Sequence, residues 1–89
     1  MKIKNGFVLQ QVGNSFLAVA VGDMARKFNS LVKMNGTGAF LWEKMSSDVS
    51  VDTLISELIS EYSGLEYDKA KEDVLSFVDY LRSNGILDE

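Results

Sequence analysis

An α+β domain is predicted, with three strands followed by three helices. Three observations carry this: β-branched and aromatic residues crowd the segments before Asn35, apolar residues recur at helical spacings after it, and there is no proline to interrupt those helices. The whole chain, residues 1–89, reads as one domain with no internal repeat and no linker.

The first two strands are expected at Phe7 to Val12 and Phe16 to Val21. Val12-Gly13-Asn14-Ser15 between them carries turn chemistry, because Gly and Asn tolerate the positive φ of tight hairpin turns. In the first arm Phe7, Leu9 and Gln11 share a face and Val8, Gln10 and Val12 the other. Both faces of the second arm are apolar, which places it centrally, and Gly22-Asp23 ends it. A third strand is expected over Lys27 to Met34, where Phe28, Ser30, Val32 and Met34 would share one face and Asn29, Leu31 and Lys33 the other. This weaker alternation fits an edge strand, and Arg26, Lys27 and Lys33 are charges of the kind that protect an edge from indiscriminate pairing.

Asn35 opens the helical half as an N-cap whose side chain can accept from an orphan backbone N–H. Ala39, Phe40, Trp42 and Met45 place the first helix near Thr37 to Met45, and their company assigns Trp42 to the core. Ser50 caps the second helix, whose stripe is Leu54, Ile55, Leu58, Ile59 and Tyr62, and Ser63-Gly64 closes it. Asp68 is the expected cap of the third, with Ala70, Val74, Phe77, Val78 and Leu81 as its stripe and Asn84-Gly85 as its end. The second and third helices, joined by a short glycine turn, can form a helix-turn-helix.

Composition removes most chemistry. The 89 residues include no cysteine and no histidine, which excludes disulfides, thiol nucleophiles, zinc fingers and Ser-His-Asp triads. No apolar run approaches the roughly 20 residues of a membrane span, and the start lacks the features of a signal peptide. A cytoplasmic protein that does not contact membranes is expected. Charge is uneven: residues 1–45 carry a net +4 and residues 46–89 a net −8.

Gly36-Thr37-Gly38 stands between a strand and a helix, yet Leu41 occupies the place of a third dinucleotide-fingerprint glycine, and no Gly-Lys-Ser/Thr ending follows. It reads as the start of a helix. Glu57 with Glu61 and Glu72 with Asp73 lack the apolar surroundings that would raise a carboxyl pKa, so they read as solvated helix faces. No cofactor and no catalytic residue is expected, and the chain reads as a non-enzyme. A helix-turn-helix raises DNA binding, and a winged-helix DNA-binding regulator is the alternative function. Against it, the third helix sets Asp68, Glu72, Asp73 and Asp79 against Lys69, Lys71 and Arg82, a poor partner for phosphates, so no nucleic-acid partner is expected. An open third strand beside an amphipathic helix is instead what peptide capture by strand addition requires.

The run Leu31-Val32-Lys33-Met34-Asn35-Gly36-Thr37-Gly38-Ala39-Phe40-Leu41-Trp42-Glu43 strongly resembles the strand-to-helix junction of the PqqD-like family. The likeness continues through Ser50 to Leu54, Glu61-Tyr62, Asp73-Val74, Phe77, Leu81 and Gly85-Ile86-Leu87, covering about residues 16–89. These domains are also known as recognition elements for the precursors of ribosomally made, post-translationally modified peptides.

The resemblance implies a winged helix-turn-helix-like fold, a three-stranded antiparallel sheet followed by three helices. It implies a peptide-binding adaptor: a precursor's leader segment docks as an extra strand on the third strand, against the third helix, and is presented to a modifying enzyme, often a radical S-adenosylmethionine protein. Carried onto this chain, the strand side is Asn29, Ser30, Leu31, Val32, Lys33 and Met34, and Val32 is where a proline would remove a donor to the leader. On the helix side two flanks are open. Asp73, Phe77 and Tyr80, with Leu81 of the core stripe, are favoured for their aromatics and for an acid that could meet a leader lysine; Lys71, Leu75 and Arg82 form the other. The chain is expected to stand alone rather than be fused to its enzyme, and to serve a peptide pathway other than pyrroloquinoline quinone assembly.

Overall fold

Gly13, at φ 61°, turns the chain back on itself, and because Asn14 is not at positive φ the Gly13-Asn14 loop is a type II′ turn, whose twist suits a hairpin. In the computed structural model, which describes residues 1–28 and 31–89, this turn joins β2 (Phe7–Val12) to β3 (Ser15–Ala20), paired antiparallel from Phe7 with Ala20 to Val12 with Ser15. β4 (Val32–Met34) adds to the other side of β3 with Ala18 opposite Val32 and Phe16 opposite Met34, so the sheet order is β2-β3-β4. β3 is central, and β4 is an edge.

The third strand is shorter than expected. It begins at Val32, and residues Met24–Lys27 form a short helix, α1, instead of a strand lead-in. Phe28, expected on the strand, packs its ring edge-on against Phe7 at 5.1 Å between centroids. Asn29 and Ser30 lie outside the described residues.

Three longer helices follow: α2 (Gly36–Lys44), α3 (Val51–Glu61) and α4 (Tyr67–Ser83). Asn35 and Ser50 cap as expected, accepting from the N–H groups of Gly38 at 2.9 Å and Thr53 at 3.1 Å. Asp68 does not cap α4. The helix starts one residue before it, with Glu66 at the N-cap making no side-chain cap hydrogen bond, and Asp68 sits in the first turn, where a negative charge complements the helix dipole. At the other end Gly85 N–H donates to the Arg82 carbonyl at 3.0 Å and Ile86 N–H to the Leu81 carbonyl at 3.1 Å, the paired bonds of a Schellman ending.

That ending turns Ile86 and Leu87 back toward the chain start. β5 (Leu87–Asp88) pairs antiparallel with β1 (Lys2–Ile3), a second small sheet that hydrophobic patterning did not indicate. Ile3 N–H also donates to the Met45 carbonyl at 2.9 Å, stitching the first residues to the end of α2.

The core lies between the inner face of the three-stranded sheet and the helices: Ala18, Val32, Leu41, Met45, Leu54, Leu58, Ala70, Val74, Leu81 and Ile86 are essentially inaccessible. Trp42 is buried, edge-on to Phe7. No buried polar or charged side chain occurs among the described residues. The fold is α+β with a three-stranded antiparallel sheet.

Candidate functional site

Hydrogen bonding decides what the edge of β4 offers. A two-residue turn makes Val12 and Ser15 a hydrogen-bonded pair, and alternation along the ladder gives Leu17 and Val19 to β2, leaving Phe16 and Ala18 to serve β4. Their partners Met34 and Val32 therefore spend their peptide groups on β3. Lys33 between them turns both its N–H and its carbonyl away from the sheet, toward α4. Tyr80 reaches that carbonyl: its hydroxyl donates to the Lys33 oxygen at 3.0 Å. Val32 N–H thus belongs to the ladder, and the outward donor is at Lys33.

Side chains on β4 alternate as the sequence indicated. Val32 and Met34 enter the core, while Lys33 is exposed and Leu31, just before the strand, is 64% exposed.

Between this edge and α4 runs a groove of about 350 Å³. Asp73, Ser76, Phe77 and Tyr80 form its helix wall, spaced so that they share one face of α4. Lys33, Met34, Asn35, Thr37, Gly38 and Leu41 form the opposite side. The flank carrying Asp73, Phe77 and Tyr80 is the one that meets the groove, whereas Lys71, Leu75 and Arg82 are not among its lining residues. Arg82 is instead engaged with Asp79 at 3.1 Å and Glu89 at 2.8 Å. Leu81 lies outside the groove, wholly buried in the core behind it.

The wall is mixed in character. Phe77, 9% exposed, provides an apolar floor, and Tyr80, 40% exposed, stands at the rim. Asp73 sits two helical turns before Tyr80 and is held by Lys69 at 3.0 Å. That hydrogen bond, and the charge of Asp73 behind it, raise the Lys69 pKa above its ordinary value. Past Asp73 and Thr37 the groove adjoins a second hollow of about 280 Å³ at the α3–α4 turn, where Tyr62 and Leu65 contribute.

Sequence reading missed the part played by Gly38. A Cβ there would fall 2.9 Å from Met34 Cβ and 3.1 Å from Phe77 Cε1, so the absent side chain is what lets α2, β4 and α4 converge at the groove floor. Thr37 and Ser76 were also missed, since small polar residues at a helix start or on a helix face have no distinguishing pattern. Among the described residues no group of three acidic side chains is placed to hold a metal ion, and no helix is long and apolar enough to cross a membrane.

No curated protein matches the chain. Among solved structures the chain is similar to TbiB1 in complex with the TbiA(β) leader peptide, with a TM-score of 0.75 over 99% of this chain and 95% of that one. At 14% identity that likeness is one of fold. The family model for coenzyme PQQ synthesis protein D matches residues 7–87, from the start of β2 into β5. By that match over nearly its whole length, the chain belongs to the PqqD family.

Proposed function

We propose that this protein is a non-catalytic adaptor that binds the leader segment of a ribosomally synthesised precursor peptide by strand addition to β4 and presents it to a modifying enzyme. The observation that carries the reading is that β4 is an edge strand whose outward peptide groups at Lys33, the carbonyl held by the Tyr80 hydroxyl, face a groove walled by α4. An added strand gains affinity from main-chain hydrogen bonds and specificity from pockets for alternate side chains. Its bed would be residues 29 to 34, with Leu31 and Lys33 offering peptide groups and Val32 and Met34 anchoring the strand. Phe77 and Tyr80 would grip leader side chains, Asp73 would meet a cationic one, and Leu81 would support the wall from within.

The fold of TbiB1, solved with a leader peptide, supports a peptide ligand in this kind of domain. A sequence without cysteine or histidine supports an adaptor rather than a catalyst. A radical S-adenosylmethionine enzyme is the partner we infer from family resemblance, with the cytoplasm as the place of encounter.

The test is a titration of isotope-labelled protein with the leader peptide encoded beside its gene, followed through backbone amide shifts. Shifts concentrated on residues 29 to 34 and on Asp73, Phe77 and Tyr80 are expected. Shifts confined to other surfaces, or retention on duplex DNA at low salt with none from the leader, would overturn the reading.

A further inference from the structure

The carbonyl that an added strand must use is already occupied. Lys33 is the β4 residue whose peptide groups both face outward, and Tyr80, 47 positions later in the chain, places its hydroxyl on that carbonyl at 3.0 Å. The bond is exposed, so water can reach the same oxygen, yet the ring lines the groove with its hydroxyl on the strand. The hydroxyl does for Lys33 what a backbone N–H of an incoming strand would do.

We propose that Tyr80 is a placeholder for the ligand strand: it satisfies the outward carbonyl of β4 in the free protein and is displaced from it by a ligand main-chain N–H. The inference rests on the leader-capture reading and adds to it a residue that tunes affinity at the strand edge. Exchanging one neutral hydrogen bond for another yields little net free energy, so the ligand gains less at Lys33 than it would at a bare edge. A molecule that sends only side chains into the groove leaves Tyr80 seated. A chain in extended conformation, with an N–H in register with Lys33, replaces it and also collects the neighbouring main-chain bonds. Tyr80 therefore lowers affinity for any strand that uses the Lys33 carbonyl and leaves the affinity of side-chain ligands unchanged, so a bound strand must recover the loss through its neighbouring main-chain bonds. It also keeps the edge carbonyl from pairing with a second copy of the sheet, the hazard of any open edge.

The experiment compares wild type with Tyr80→Phe, which keeps the ring and removes the hydroxyl, using calorimetric titration of the whole chain with the leader encoded beside its gene. Tyr80→Phe is expected to bind about 2- to 10-fold more tightly, the span of one net hydrogen bond. In the wild-type complex the Lys33 carbonyl carbon shift should approach that of the bound variant. A series of leaders with one N-methylated amide each adds a reading that altered packing would not give. At a single position N-methylation should weaken binding to Tyr80→Phe more than to wild type, because wild type can return its hydroxyl to the carbonyl. Equal or weaker binding by a folded Tyr80→Phe, with wild-type amide shifts still on β4, overturns the placeholder alone. Absence of shifts on β4 in wild type overturns leader capture, and the placeholder with it.

Discussion

Gly38 and Phe77 meet at the groove floor with no space for a side chain between them: a Cβ at Gly38 would lie 3.1 Å from Phe77 Cε1 and 2.9 Å from Met34 Cβ. Gly38 is not at positive φ, so close approach and not backbone freedom is what requires glycine. Alanine would favour the helix by about 1 kcal/mol. Against this, overpacking costs about 1–3 kcal/mol, and the nearest atom, a Cβ on a strand, cannot withdraw without its backbone. Gly38→Ala is expected to lower stability by about 1 kcal/mol in urea and to weaken leader binding by pushing β4 from α4. A gain in stability would show that β4 yields easily and that the groove is not held rigid.

The direction of the peptide groups on β4 separates two proline substitutions. At Lys33 proline removes an outward N–H and leaves the bonds to β3 intact, as edge strands tolerate. Lys33→Pro should keep its melting temperature within a few degrees while leader affinity falls about tenfold, one lost hydrogen bond and an unpaired acceptor. At Val32 proline would remove a bond to Ala18 and disturb a side chain with no solvent exposure, so Val32→Pro should destabilise by about 1–3 kcal/mol whether or not a leader is present. Wild-type leader affinity in a folded Lys33→Pro would refute strand addition at this edge.

The features legible in the sequence were those with local causes. Alternation and turn residues located β2 and β3 to within a residue, and the Asn35 and Ser50 caps and the apolar stripes located the helices. What escaped depends on distant partners. β1 and β5 have two residues each, too few for a period, and exist because residues 2 and 88 meet in space. One miss was instead local: the Arg26-Lys27 segment, read as a strand start, closes a single turn of helix at Phe28, whose N–H donates to the Met24 carbonyl four residues back at 2.9 Å. In the candidate site, helical spacing put Asp73, Phe77 and Tyr80 on one face of α4 but left open which face meets β4. Spacing also could not say that Val32 faces inward with its N–H, because that follows from the register against Ala18.

Asp73 lends itself to an electrostatic test. Its partner Lys69 lies on the same helix at 3.0 Å, with the Lys69 and Asp73 side chains 58% and 32% exposed. A cationic leader side chain would compete with Lys69 for the carboxylate. Asp73→Asn should weaken binding of a basic leader, and Lys69→Ala should strengthen it, each by a few-fold and less so at high salt. The sign with pH follows from Lys69, whose raised pKa keeps the pair intact below the ordinary lysine range and releases it as pH climbs through the raised value. With a leader whose cation is an arginine, which keeps its charge, Lys69→Ala should therefore lose its advantage over wild type at strongly alkaline pH. Equal salt dependence in all three proteins would remove Asp73 from the site.

Leu81 and Phe77 are four residues apart on α4, and their burial assigns them different work. Leu81 has no exposed surface and does not line the groove, while Phe77 is 9% exposed and does. Leu81→Ala should cost about 2–5 kcal/mol through the cavity it leaves, a large part of the roughly 5–15 kcal/mol that holds a domain folded. Measured at low temperature, where the variant remains folded, its leader affinity should stay within about twofold of wild type, since the lost atoms sit behind the wall. Phe77→Ala should cost about 3–5 kcal/mol and also reduce affinity in the folded fraction, because the groove loses its floor. Urea unfolding paired with calorimetric titration separates the two effects. If Leu81→Ala lost affinity as steeply as Phe77→Ala while fully folded, the ligand would have to reach behind α4, and a groove bounded by Phe77 and Tyr80 would be the wrong description of the site.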